Sequence, residues 1–315
     1  MNTQSNAVPE SHFDSQVSAP AVLSVTRPIY WSLRRELWEN HSIYIAPLAV
    51  AALAMLGFLV SLIHLSRNMR ILTTLDDAHQ LVMLAMPYSH VAWMIMLTAV
   101  LVGIFYSLDA LYSERRDRSI LFWKSLPVSD LTTVLSKASI PLVILPLLVA
   151  VIILALQWIM LLLTSAVLMS SGVGAATFWS QLPLFQMQLG MLYGVAVLTL
   201  WWAPIYAWLM LVSGWVRRAA FLWAVLPLLA IGAVEKIAFH TSFFGSLLLS
   251  RLIGFAPNAF AFKMPNGVPI DPHFIPLSQL TPGRFLSSPG LWLGLLVAVA
   301  FLAAAVRLRH YREPL

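Results

Sequence analysis

Charge is what this sequence has least of. Only 10% of its 315 residues are Asp, Glu, Lys or Arg, whereas soluble domains carry about a quarter. None of these four residue types occurs between 138 and 216. The mean hydropathy is +0.82. These values exclude an ordinary soluble domain and predict an integral membrane protein.

Cysteine is absent altogether, which excludes disulfides and thiolate chemistry. The sequence contains no G-x-x-x-x-G-K-[ST] phosphate loop, no H-E-x-x-H motif and no G-x-S-x-G motif, so it offers no recognisable ATP, zinc-protease or hydrolase site. Its eight histidines are scattered. We therefore expect a chain that binds no metal or cofactor itself and is not an enzyme; a membrane enzyme is the weakest alternative.

Long uncharged runs are what the sequence has instead. A transmembrane helix needs about 20 apolar residues. Windows of that kind occur at 43–65, 88–111, 138–163, 187–213, 219–239 and 289–306. The sequence thus predicts an all-α integral membrane protein with six transmembrane helices.

Orientation follows from the basic residues, because Lys and Arg accumulate in short cytoplasmic loops. With the N-terminus inside, most of the 19 Lys and Arg fall on the cytoplasmic side. We therefore expect both termini to be cytoplasmic. Because these cations are spread over separate loops, a nucleic-acid partner is not expected.

Three regions are expected along the chain. Residues 1–27 are rich in Ser, Ala and Pro and predict a disordered cytoplasmic tail. Residues 28–42 predict an amphipathic helix in the membrane interface, in which the apolar face holds Ile29, Tyr30, Leu33, Leu37 and Trp38, and Arg34, Arg35, Glu36 and Glu39 lie mostly opposite. The alternative is a positively charged flank with a helical start. Residues 43–315 form the six-span domain. Within it, the apolar run 246–256 is too short to span and is followed by six prolines, which predicts a re-entrant hairpin on the outer side between spans five and six.

The segment ERRDRSILFWKSLPVSD, residues 114–130, joins spans two and three. Ser119 can cap a short helix that Pro127 ends, and Ser129 or Asp130 can cap the helix that continues into span three. Apolar side chains on the short helix cannot all face one way, so some are expected to face a soluble partner. The alternative is a solvated turn whose aromatic side chains lie among lipid headgroups.

These residues also carry a resemblance. Glu114-Arg115, Ser119-Ile120-Leu121, Leu126-Pro127-Val128-Ser129 and Lys137 resemble the first cytoplasmic loop of permease subunits of ATP-binding cassette (ABC) exporters of the second class. The six spans, the interfacial helix and the outer hairpin are similar to that family as well, so the likeness covers nearly the whole chain after residue 28.

The resemblance implies a division of labour. The loop would hold a coupling helix that docks in a cleft of a separate cytoplasmic ABC ATPase subunit, which binds ATP and Mg²⁺. A second permease subunit, identical or paralogous, would complete a path across a bacterial inner membrane. The implied coupling interface consists of Glu114, Arg115, Asp117, Ile120, Leu121, Phe122, Lys124, Leu126, Pro127 and Ser129.

Further candidates lie in the spans themselves. Glu235 ends span five, and an ionisable residue in a membrane helix is a candidate for transport or gating; packing against the hairpin is the alternative. Trp201 and Trp202 could line a path for an amphipathic substrate, or simply pack. A secondary transporter driven by an ion gradient is the main alternative function, but it needs ionisable residues near the middle of the bilayer.

Overall fold

The computed structural model describes residues 26–63, 77–117, 129–170, 184–261 and 277–311. Within these ranges the chain is helical and forms no strand, apart from one isolated bridge between Phe260 and Leu280. The helices are α1 (Thr26–Glu39), α2 (Ser42–Leu62), α3 (Asp77–Asp109), α4 (Tyr112–Arg116), α5 (Asp130–Ser139), α6 (Leu145–Ser170), α7 (Leu184–Trp215), α8 (Ala220–Phe239), α9 (Phe243–Ile253), α10 (Phe255–Ala259), α11 (Pro282–Leu286) and α12 (Pro289–Tyr311).

In the described part of the chain, six helical segments are long and apolar enough to cross a membrane, which confirms the span count. They are Ser42–Leu62, Ala85–Arg116, Asp130–Ser170, Leu184–Trp215, Ala220–Phe239 and Pro289–Tyr311. The third segment is continuous because a π-helical turn, Ile140–Ile144, joins α5 to α6. Proline at position 141 removes one backbone donor within that turn.

The bundle is packed around α7, which contacts α12 on one side and α3 on another, while α2, α3 and α6 pack together. Close approach of α3 to α7 depends on Gly103. A Cβ atom there would lie 2.9 Å from Tyr206 Cε1, so a larger residue would push the two helices apart. Small residues at helix contacts are typical of membrane bundles.

Helix α8 is attached only loosely. Ala224 is its one buried residue, and its large apolar side chains, such as Leu229 and Ile237, face outward. The turn before it places Ala219 in the left-handed region at φ 54°, which costs a non-glycine residue about 1–2 kcal/mol. An outward apolar surface on a spanning helix suits lipid or another membrane protein.

The two ends of the bundle differ, and we name them by their contents. The charged end carries α1, α4, α5 and the C-terminal end of α12; the hairpin end carries α9, α10 and α11. The predicted tail lies outside the described residues except for Thr26 and Arg27, which begin α1. Most of the proline-rich part of the predicted hairpin, 262–276, also lies outside them.

Helix α1 forms as expected, but its faces differ from the expected ones. Leu33 and Leu37 pack against the core, whereas Tyr30, Trp31 and Trp38 are exposed. The Arg34 guanidinium lies 5.4 Å from the Trp31 ring centre and 5.8 Å from that of Trp38. An exposed aromatic and cationic face suits a membrane interface.

A buried charge cluster as the candidate functional site

Helices α4 and α5 lie before and after residues 118–128, the middle of the predicted coupling loop. We call these two helices the root of the loop. Helix α5 begins as predicted. Ser129 has extended backbone angles and its side chain accepts a hydrogen bond from the Thr132 backbone N–H at 3.1 Å, as an N-cap residue does. Of the two candidates, Ser129 is therefore the cap.

Five ionisable side chains meet at this root and form a charge cluster. Its members are Glu36 of α1, Glu114 of α4, Asp130 and Lys137 of α5, and Arg309 of α12. Lys137 Nζ lies 2.7 Å from Glu36 Oε1 and 3.3 Å from Glu114 Oε1. Arg309 Nη2 lies 3.1 Å from Glu114 Oε2, and its Nε lies 3.6 Å from Asp130 Oδ1. The cluster thus joins four helices that are distant in sequence.

Burial makes this cluster unusual. Lys137 is 2% exposed, Glu36 3% and Glu114 4%. Charged side chains are rarely that buried unless they are paired, because leaving water costs several kcal/mol per ion. Each acidic member here has a basic neighbour, although the cluster holds three carboxylates and only two cations. Removing one partner would leave a buried charge uncompensated, and the four helices therefore depend on one another.

Neutral groups extend the cluster. The Tyr106 hydroxyl of α3 donates to Glu36 Oε2 at 2.8 Å, and the Asn40 amide donates to the Glu36 backbone carbonyl at 3.2 Å. His310 Nδ1 lies 3.3 Å from Asp130 Oδ2. Hydrogen bonds to an ionised carboxylate are stronger than those between neutral groups. Glu36 is consequently held from two sides, by α3 and by α5.

A second connection runs from α4 to α7. Arg115 Nη1 donates to the carbonyl oxygens of Gly214 at 2.8 Å and Val216 at 3.4 Å. These carbonyls lie at the C-terminal end of α7, where the helix dipole stabilises a positive charge. Ser213 Oγ accepts from the backbone N–H groups of Leu111 and Tyr112, both at 2.9 Å. The start of the loop is therefore fixed to the end of α7.

The predicted coupling residues separate into three groups. Glu114 and Arg115 point into the bundle and hold the root of the loop. Asp117 is exposed, where Arg116 Nε lies 2.9 Å from its Oδ1, and Ser129 caps α5. Ile120, Leu121, Phe122, Lys124, Leu126 and Pro127 lie outside the described residues, so the coupling helix stays a prediction.

Glu235, the candidate for gating, contacts the hairpin end. Its carboxylate accepts hydrogen bonds from the backbone N–H groups of Phe243 and Phe244, both at 2.7 Å, and from Thr241 Oγ1 at 2.8 Å. These are the free donors at the first turn of α9, and a carboxylate suits that position. The geometry gives Glu235 a structural contact with the hairpin, which was the alternative to gating.

Trp201 is buried beside α9 at the hairpin end. Its indole N–H donates to the Arg251 carbonyl at 2.9 Å, and the Arg251 guanidinium lies 4.5 Å from its ring centre. Arg251 Nη1 also donates to the Gly290 carbonyl at 2.9 Å. Burial lowers the pKa of Arg251 to about 10, which leaves it charged at neutral pH. Trp202 lies beside Tyr206, with ring centres 6.2 Å apart.

Sequence reasoning missed Glu36, Tyr106 and Arg309. Glu36 was expected on the polar face of α1, away from the apolar residues. One signal was available: Glu36 lies three residues after Leu33 and next to Leu37, so it borders the face that packs. For Arg309, nothing in the sequence indicates that the end of the last span returns to the root of the loop.

Among the described residues, no group of three or more His, Asp or Glu side chains is arranged so that it could hold a metal ion. Comparisons of the chain with protein-family models, with curated proteins and with solved structures give no significant match.

Proposed function

We propose that this chain is the permease subunit of an ATP-driven ABC exporter, and that it moves a substrate out across the inner membrane together with a second permease subunit and a separate ATPase. The observation that carries the proposal is the charge cluster. Its ion pairs connect α4 and α5, the helices on either side of residues 118–128, to α1 and α12. A force applied to residues 118–128 needs such connections if it is to move the membrane-spanning helices.

The cluster would act as a rigid joint. Glu114 stands before the segment, and Asp130 and Lys137 stand after it. Because ion pairs link these residues to one another and to other helices, the flanking helices cannot separate without exposing a buried charge. A force applied at 118–128 would thus move α4, α5, α1 and the end of α12 together.

The π-helical turn gives that joint a place to bend. Ile140–Ile144 follows α5 directly, and π turns are local irregularities that often occur at functional positions. A cavity of about 20 Å³ lies beside it, lined in part by Pro141, Leu145 and Tyr206. Because the cluster holds α5 through its ion pairs and the π turn follows the C-terminal end of that helix, α5 could tilt against α6 when the partner moves.

An ion-gradient mechanism has less support from these contacts. The paired charges lie where the loop meets the bundle. Lys137, in the middle of the cluster, lies seven residues after the start of the third segment, Asp130–Ser170. Carriers driven by ions place their ionisable residues near the middle of the bilayer.

The coupling role can be tested at the loop itself. Leu121 and Phe122 are both replaced by Asp in the full chain, and the protein is purified from its native host membranes. The intact chain should retain a partner that hydrolyses ATP, whereas L121D/F122D should lose that activity and still be inserted in the membrane. Y311D is the matched control, because Tyr311 is 81% exposed at the same end of the bundle.

A photo-crosslinking experiment tests directly whether the loop contacts an ATPase subunit. A benzophenone amino acid is placed at position 122, and the products are identified by mass spectrometry. Crosslinks to a protein with a phosphate-loop motif support the proposal. Crosslinks to lipid alone, together with unchanged ATPase co-purification of L121D/F122D, would refute it.

A further inference from the structure

A second cavity, of about 60 Å³, lies between α3, α6 and α7 near the hairpin end. Ser89, Met96, Gln157, Met187 and Phe260 are among its lining residues. It lies away from the charge cluster and plays no part in the proposed coupling. One water molecule needs roughly 10–15 Å³ of such space, so there is room for several waters or for a short organic group.

Gln157 is the feature that makes the cavity more than a packing defect. Its side chain lines the space and is only 3% exposed, and its amide oxygen finds no hydrogen-bond donor in the described part of the chain. A buried amide oxygen that accepts no hydrogen bond costs up to several kcal/mol in an apolar surrounding. Nearly all buried polar groups are satisfied, so an exception of this kind calls for a partner that the protein acquires from outside.

The other walls of the cavity are apolar or already satisfied. Ser89 Oγ donates to the Ala85 carbonyl at 2.9 Å, so its proton is in use. Met96 and Met187 contribute flexible thioether side chains that adapt to irregular shapes. On α7, Gly194 leaves open space, since a Cβ there would meet nothing nearer than Met96 Cε at 3.8 Å. Among the residues that the structure describes, those that line the cavity carry no charge, so they offer an ionic ligand no counter-charge.

The depth of Gln157 in the membrane limits which kinds of ligand can reach the cavity. Gln157 follows Lys137 by 20 residues on one continuous helical segment, which corresponds to about 30 Å at 1.5 Å per residue. The hydrocarbon core of a bilayer is also about 30 Å thick. If the charge cluster marks one boundary of the core, Gln157 lies near the other, where lipid ester groups and partitioned amphiphiles accumulate.

We propose that this cavity is a binding site for uncharged molecules that combine a short apolar body with a carbonyl or amide group, and that Gln157 holds them by hydrogen bonding. An amide ligand can pair with both groups of the Gln157 side chain, because it donates to the unpaired oxygen and accepts from the N–H group. A carbonyl or ester can only accept from the N–H group, which the broad terminal torsion of a glutamine allows to turn toward it. The cavity is smaller than the roughly 150 Å³ needed for benzene, so only the end of a larger ligand enters it. The source is a free solute or the ester region of a membrane lipid.

The chain's lack of cysteine permits a clean assay. Ser89→Cys places a single thiol in the cavity wall, and the rate of its modification by neutral methyl methanethiosulfonate is measured on the purified full chain in detergent. Propanamide is the probe, and propanoate is its charged counterpart of the same size. A ligand this small binds weakly, so each is used at about 50 mM.

Propanamide should slow modification of the introduced thiol at least about three-fold by occupying the site, and propanoate should not. Adding Gln157→Leu should remove the protection. Gln186→Leu is the matched control because Gln186 is exposed on α7, and it should keep the protection. A thermal scan of the cysteine-free chain gives an independent readout: propanamide should raise its melting midpoint, and Gln157→Leu should abolish the rise.

Vesicles distinguish the two sources. The Ser89→Cys chain is reconstituted in diester phosphatidylcholine or in its diether analogue, which lacks the carbonyl groups. Slow modification in the diester vesicles alone assigns the site to lipid; equal rates that propanamide still lowers assign it to a solute.

Three results would overturn the proposal. The introduced thiol does not react at all, which would mean a closed cavity; no carbonyl compound or lipid alters its rate, which would mean water only; or protection persists in the Gln157→Leu chain. Replacement of Gln157 also separates binding from structure. A purely structural glutamine should destabilise the protein when it becomes Leu, whereas a binding residue without an internal partner should leave the empty protein equally stable or more stable.

Discussion

The two ends of the bundle are held together in different ways. At the charged end, ion pairs join the side chains of Glu36, Glu114, Asp130, Lys137 and Arg309 into one cluster. At the hairpin end, Glu235 and Arg251 each bond to backbone groups of a neighbouring segment, separately from one another. A shared network transmits the loss of one member to all the others, whereas separate contacts fail one at a time. The charged end is thus built to move as a unit.

Lys137→Met should produce the largest effect, because it leaves Glu36 and Glu114 buried beside each other without their shared cation. The free energy of unfolding in mixed micelles should fall by about 3–5 kcal/mol. Lys236→Met, at an exposed lysine of the hairpin end, should change it little. Adding Glu36→Gln to Lys137→Met should recover part of the loss, and strict additivity of the two changes would contradict a shared network.

Tyr106→Phe removes the hydroxyl that donates to Glu36 at 2.8 Å and keeps the ring. A buried hydrogen bond to a charged group contributes about 1.5–3 kcal/mol, so the free energy of unfolding should fall by that amount. Tyr311→Phe serves as the control, since Tyr311 is exposed. If both variants unfold alike, Glu36 does not depend on α3.

Gly294→Ala tests the hairpin end. A Cβ atom at this position would lie 1.8 Å from Arg251 Nη2, so the guanidinium would have to leave Trp201. The lost cation–π contact and hydrogen bond together should cost about 1–2 kcal/mol. Gly57→Ala, where nothing lies within 4 Å, should be neutral or stabilising. If both variants lose stability, the cause is the glycine replacement within each helix and not the displacement of Arg251.

Glu235→Gln should have the smallest effect on stability. Gln offers fewer acceptor sites than a carboxylate and carries no charge to favour the α9 N-terminus. The melting midpoint should fall less than in Gly294→Ala, with ATPase co-purification unchanged. Transport by reconstituted vesicles separates the two roles of this residue: altered transport at an unchanged midpoint would favour gating, and a lower midpoint with normal transport would favour the structural contact.

The spans could be predicted from the sequence because hydrophobic length is a local property. The uncharged windows near 43–65 and 289–306 correspond to Ser42–Leu62 and Pro289–Tyr311. The cap at Ser129 was equally accessible, since a capping residue acts on the next few residues of the same chain.

The contacts within the cluster could not be predicted, because they join residues far apart in the sequence. Arg309 and Glu114 are close only because α12 packs along α7, and Arg115 fixes α4 to the end of α7. Charge counting assigned such arginines to membrane orientation, which is a correct general tendency but does not reveal a specific partner. Gln157 was missed for a similar reason: one glutamine in an apolar helix has no local signature of a cavity.

The cluster also has a consequence for biosynthesis. It joins position 36 to position 309, so during translation it cannot close until α12 has left the ribosome. Until then Glu114 lacks the guanidinium that completes its pairing. A chain that is cut before α12 would leave Glu114 and Asp130 without Arg309, so its charged end would be less stable than that of the intact chain.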